Sequence, residues 1–170
     1  MLAGMKLSAT LSEAFNKQVT AEFEASLVYR QLSYLLDDLG LVGMRDWMKL
    51  QADEELTHAH MFAEHMLNRD AVPQIGNIAA PQVTVNNAVD AFEASLAHER
   101  KISGMIRDLA ALAQDERDFD SRPLLDFFLA EQIEEESTVG EILDRLRLIG
   151  TDGSGLLRID AELGSRQADA

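Results

Sequence analysis

Asp53-Glu54-Glu55-Leu56-Thr57-His58 sets a carboxylate and an imidazole one turn apart inside an apolar helical seam. That seam runs Met44, Met48, Gln51, Glu55, His58, Phe62, His65, in alternating steps of three and four. Such a period belongs to a helix packed along one stripe, whereas a half-buried strand would alternate every second residue. Glu55 and His58 therefore point the same way, toward whatever the helix packs against.

Three more seams share this period. The first runs Leu11, Phe15, Gln18, Glu22, Ala25, Tyr29, Leu32, Leu36. It predicts a helix over about 10–39, with Thr10 and Glu13 at capping-box spacing and Gly40 as the left-handed residue that ends it. The third runs Ala88, Phe92, Ser95, Glu99, Ile102, Ile106, Leu109, Ala113, behind Asn87 as a cap. The fourth runs Leu125, Phe128, Gln132, Glu135, Val139, Ile142, Leu146, Ile149, with Asp118, Asp120 or Ser121 available to start it. Between the second and third seams, Asp70 to Asn87 carries Pro73, Gly76 and Pro81 without helical period and reads as an extended connection. At roughly 3.3 Å per residue it can span the length of a long helix. Gly150 to Gly155 breaks the fourth pattern, and Leu156 to Leu163 predicts one short extra helix. The expectation is an all-α chain of one domain over residues 1–170. It is a four-helix bundle with one long crossover between helices 2 and 3, and a short fifth C-terminal helix outside it.

Composition narrows the function. The 170 residues hold 15 Lys and Arg against 30 Asp and Glu, a net charge of −15, and no cysteine. Disulfides, cysteine nucleophiles and Cys-based zinc sites are excluded. The acidic balance argues against nucleic acid, which needs clustered basic residues, and against anionic lipid surfaces. The sequence shows neither a signal-peptide pattern nor an apolar run long enough to span a membrane, so the expected compartment is the cytoplasm.

The residues that spoil the seams carry the chemistry. Glu22, Glu55, Glu99 and Glu135 each fall mid-seam, which places four carboxylates at one height of the bundle. Buried carboxylates facing one another raise each other's pKa and are costly unless a cation lies between them. No seam supplies Lys or Arg at that level. Four carboxylates and His58 offer oxygen and nitrogen ligands suited to first-row divalent metals, and four negative charges balance two such ions. A single Glu-x-x-His on an exposed helix would mean little, and the inference rests on the conjunction. Tyr29 reads either as a core tyrosine with a satisfied hydroxyl or as a partner of the site. His60, His65 and His98 read as ordinary helix residues, and Trp47 and the methionines as packing.

The pattern resembles the ferritins, specifically the non-haem bacterial ferritins. The resemblance lies in Ala21-Glu22-Phe23 with Tyr29, Asp53 to His58, Ala97-His98-Glu99, Glu131-Gln132-Ile133-Glu134-Glu135-Glu136, and Gly155-Leu156-Leu157-Arg158-Ile159-Asp160. It implies a cage of twenty-four identical subunits, a di-iron ferroxidase centre in each, and ferric mineral stored inside. Residue by residue, it implies one iron on Glu22, Glu55 and His58, with Glu55 bridging to a second on Glu99 and Glu135. Gln132 would line that second position. A third iron position would fall on Glu54, Glu131 and Glu134 with Glu135 shared, a set whose alternative reading is a solvated acidic face. The oxidant would be dioxygen or hydrogen peroxide. Two departures separate the chain from the haem-binding bacterioferritins. Thr138 stands where their second Glu-x-x-His would place histidine, and Leu56 stands where they carry a haem-ligating methionine. Haem is therefore not expected. A di-iron oxidoreductase or peroxidase without mineral storage is the alternative function.

Overall fold

The computed structural model describes residues 6–167, which form five α-helices in the order α1 (Ala9–Asp38), α2 (Val42–Asn68), α3 (Ala88–Asp115), α4 (Arg122–Ile149) and α5 (Gly153–Gly164). Among the described residues one 3-10 turn, Phe119–Ser121, leads into α4. Residues 71–85 carry no helix or strand and form the crossover between α2 and α3.

Side-chain pairs give the helix directions. Phe15 meets Phe62 and His65 while Arg30 meets Asp53, so α1 and α2 are antiparallel. Tyr29 meets Ser95 and Glu24 meets Lys101, so α1 and α3 are antiparallel as well. Helices α2 and α3 therefore run parallel, the arrangement for which a long connection is needed. Helix α4 lies along α3, and α5 docks mainly on the start of α2.

The ends are capped partly by residues other than those expected. Ser8, not the Thr10–Glu13 pair, caps α1 by accepting from the Leu11 N–H at 3.0 Å. Asn87 caps α3 through Asp90, and Gly40 takes φ 75° after α1, the left-handed conformation that glycine adopts without steric cost. Ser121 adopts helical backbone angles and offers no cap bond to α4, whose first turn carries Pro123 instead. Helix α5 begins at Gly153 rather than Leu156, because Asp152 accepts from the N–H groups of Ser154 and Gly155. The start of α2 has no local side-chain cap. Asp160 of α5 supplies one, accepting from Gly43 at 3.1 Å and Met44 at 2.8 Å.

The apolar core is split in two. One cluster gathers Leu32, Leu36, Met44, Trp47, Phe92 and Leu146 with their neighbours, and the other gathers Phe15, Phe62, Met66, Ile106 and Phe128 with theirs. Along each bundle helix the buried Glu22, Glu55 with His58, Glu99, and Gln132 with Glu135 fall between the residues of one cluster and those of the other. No helix among the described residues is long and apolar enough to cross a membrane.

Candidate metal centre

The polar layer is built from one glutamate per helix. Glu22, Glu55, Glu99 and Glu135 are 1%, 2%, 1% and 7% exposed, and His58 is 4% exposed, so these groups are withdrawn from water. Ligand atoms of Glu22, Glu55 and His58 lie within 4.8 Å of one another. Glu55 Oε2 stands 3.3 Å from His58 Nδ1, one turn along α2. Phe128 packs against the imidazole edge-on, with ring centroids 5.2 Å apart.

Three of the four carboxylates are aimed by a neighbouring amide or hydroxyl. Gln18, one turn before Glu22, donates to its Oε1 at 2.7 Å. Tyr29 donates to Glu99 Oε1 and accepts from Ser95 Oγ at 2.9 Å. Gln132 donates to Glu99 Oε2 at 3.1 Å and lies within hydrogen-bond distance of Ser103 Oγ and the Glu99 carbonyl. Its amide N–H groups thus hold Glu99 in place. Gln51 donates to Glu135 Oε2 at 3.0 Å. Glu22 Oε2 is buried, no amide or hydroxyl donates to it, and the Glu22 carboxyl neighbours that of Glu55. Most buried polar atoms are satisfied, and such a carboxylate oxygen beside a second carboxylate and an imidazole fits a cation. The residues present therefore suit divalent metal.

Electrostatics agree with that chemistry. Burial, then repulsion from Glu55, pushes the Glu22 pKa well above the usual carboxylate range. Burial and the charge of Glu99 do the same to Glu55. Burial raises Glu99 against the opposing pull of its bonds from Tyr29 and Gln132. Burial, Glu99 and Glu54 push Glu135 up to about 8. Each of the four shifts is upward, the direction that favours proton binding in the absence of a cation and proton release when a metal binds. Tyr29 is also pushed well above its ordinary value, by burial and then by Glu99, so its phenol remains a donor.

The three outer acidic residues divide. Glu54 and Glu131 offer ligand atoms that, with His58, lie within 4.8 Å of one another. Glu134 is exposed and stands at the rim of a cavity of about 240 Å³ lined also by Glu54, Glu131, Glu135 and Thr138. Two residues of this region carry no expectation from the seams alone. Gln51 is the amide that grips Glu135, and its signal was its place one turn before Glu55, matching Gln18 before Glu22. Arg166, beyond α5, places a guanidinium at the cavity. It donates to Gln51 Oε1 and, at 2.8 Å, to Glu54 Oε2. No periodicity announces it. Trp47 packs on Phe92 at 5.4 Å between centroids, and Arg166 lies 5.1 Å over its ring.

Comparison with known proteins gives one consistent result. Residues 12–149 match the ferritin-like domain family. The bacterial non-heme ferritin of Bacteroides fragilis is 31% identical, over 94% of this chain and 99% of the relative. That of Escherichia coli O157:H7 is 29% identical, over 94% and 96%. Among solved structures, an engineered closed form of the Archaeoglobus fulgidus ferritin superposes with a TM-score of 0.94 at 33% identity, covering 96% of this chain and 100% of that one. An open pore ferritin from the same archaeon gives 0.93 at 33% identity, covering 95% and 100%.

Proposed function

The chain belongs to the ferritin family, and on that footing we propose that it is an iron-storage protein with ferroxidase activity. It takes ferrous iron as substrate at the four-helix carboxylate layer. The observation that carries this reading is the Glu22–Glu55–His58 corner, with its ligand atoms within 4.8 Å and its Glu22 oxygen to which no amide or hydroxyl donates.

In this reading Glu22, Glu55 and His58 bind one ferrous ion, and Glu55 also reaches a second bound by Glu99 and Glu135. Tyr29 and Gln132 hold the Glu99 carboxylate, and Gln51 holds that of Glu135, so the ligands are oriented before metal arrives. Gln132 and Gln51 are positioning residues. Protons held on the layer leave as ferrous ions enter, because the cations offset the burial and mutual repulsion that favour the protonated carboxyls. Two ferrous ions then give up one electron each. With two protons these reduce dioxygen to hydrogen peroxide, or hydrogen peroxide to two waters. Anionic carboxylates favour the ferric product by charge, and that product passes toward Glu54, Glu131 and Glu134. Storage calls for a closed homo-oligomer, taken as twenty-four copies of this one ferritin-like domain in the cytoplasm. The net charge of −15 draws cations toward it.

The test adds ferrous iron aerobically to metal-free protein, follows ferric absorbance, sizes the particle and counts iron per chain. Hundreds of ferric ions retained in a large particle, with fast oxidation lost in Glu55→Ala, support the reading. Saturation near two ions per chain in a small oligomer overturns storage and leaves a di-iron oxidoreductase.

A further inference from the structure

The guanidinium of Arg166 stands where a cation beside the metal centre would stand. It donates to Glu54 Oε2 at 2.8 Å and to Gln51 Oε1, and it covers the face of Trp47. Glu54 is one of the three groups, with His58 and Glu131, whose ligand atoms lie within 4.8 Å. The same cavity is lined by Glu131, Glu134 and Glu135. We propose that Arg166 is a tethered competitor cation, which neutralises Glu54 and restricts the centre to two metal ions until the guanidinium is displaced. This rests on the reading of the layer as a metal centre.

Three features carry the proposal. Arginine stays charged at every relevant pH, so its departure requires movement and not deprotonation. Its planar fork engages two acceptors at once while the Trp47 ring supports its face, a geometry that an ammonium cannot reproduce. Its grip extends inward as well. Arg166 holds the oxygen of the Gln51 amide, which leaves the Gln51 nitrogen facing Glu135 Oε2 at 3.0 Å. One guanidinium thus fixes both an outer carboxylate and the amide that aims a carboxylate of the layer.

The tether is equally defined. Asp160 accepts from the first N–H groups of α2. Gly43 and Gly164 bring the α2 and α5 backbones together so closely that a Cβ on Gly43 would lie 1.8 Å from the Asp160 carbonyl oxygen. Two residues past Gly164, Arg166 lies over the Trp47 ring of α2. Sliding or lifting of α5 would withdraw the guanidinium from Glu54.

The test titrates metal-free, full-length protein with zinc(II), a divalent probe without redox chemistry, by isothermal calorimetry. Wild type, Arg166→Gln, Arg166→Lys and the Glu54→Gln/Arg166→Gln double variant are compared. We expect two tight ions per chain in wild type. In Arg166→Gln a third ion should bind on the order of tenfold more tightly than in wild type, with lysine intermediate and the double variant losing the gain. A merely structural arginine would lower the melting temperature of Arg166→Gln and leave the third-ion step unmoved. A third-ion affinity equal in wild type and Arg166→Gln, with the two-ion step intact, overturns the proposal alone. Absence of the two-ion step in wild type overturns the metal-centre reading beneath it.

Discussion

Tyr29 on α1 donates its phenolic proton to Glu99 on α3, and Ser95, one turn before Glu99, donates to the same phenolic oxygen. A fully buried tyrosine thus spends its hydroxyl on a carboxylate of the polar layer. Tyr29→Phe keeps the ring and removes the bond. The second metal ion should bind about tenfold more weakly while the ion on Glu22, Glu55 and His58 is unaffected. Metal-free stability should fall by about 1–3 kcal/mol. Calorimetric titration and chemical denaturation check the two parts.

Glu22→Gln puts a neutral amide of the same shape in place of a buried group that must either take up a proton or bear repulsion from Glu55. The metal-free protein at pH 8 should gain about 1–3 kcal/mol, while tight metal binding is lost. A melting temperature lower than wild type under those conditions would show that the four carboxylates do not oppose folding.

Protonation of the layer makes metal-free stability depend on pH with a defined sign. Glu135 moves from an ordinary value of 4.5 to about 8, chiefly by burial. Between those values the folded chain binds more protons than the unfolded one, so stability is greatest on the acid side and falls as pH rises through the window. Glu22 and Glu55 shift in the same direction. Urea midpoints of metal-free protein should therefore decline from pH 5.5 to 8.5. Excess zinc(II) should restore them at the alkaline end, with proton release seen as a buffer-dependent heat of binding.

The junction of α2 and α5 is a separate point of failure. Asp160→Ala leaves the Gly43 and Met44 N–H groups without their cap and should cost about 1–2 kcal/mol. Gly43→Ala forces a methyl group against the Asp160 carbonyl and should part the helices. Trp47, the single tryptophan, then loses the guanidinium over its ring. A red shift of tryptophan emission in Gly43→Ala, with far-ultraviolet helicity retained, reads that release directly.

How much was legible in the sequence follows from what is periodic. The four seams, the crossover at Asp70 to Asn87 and the Gly40 turn are local patterns, and α1 to α4 form within a few residues of where the patterns place them. Glu22, Glu55, Glu99 and Glu135 stood out because each replaces an apolar residue at equal depth in its own helix. The finer ends were less readable. Ser8 and Asp152 cap their helices from outside the seams, where several polar residues compete for the same role.

A helical bundle with one carboxylate per helix in a shared layer is written locally, since helix period and seam position are properties of neighbouring residues. That Asp160 caps α2, that Gly43 meets Gly164, and that Arg166 reaches Glu54 comes from packing across the chain. Those partners lie more than a hundred residues apart along the chain. They meet because two glycines let a short helix dock backbone to backbone, and a contact made by the absence of side chains leaves no periodic trace to read.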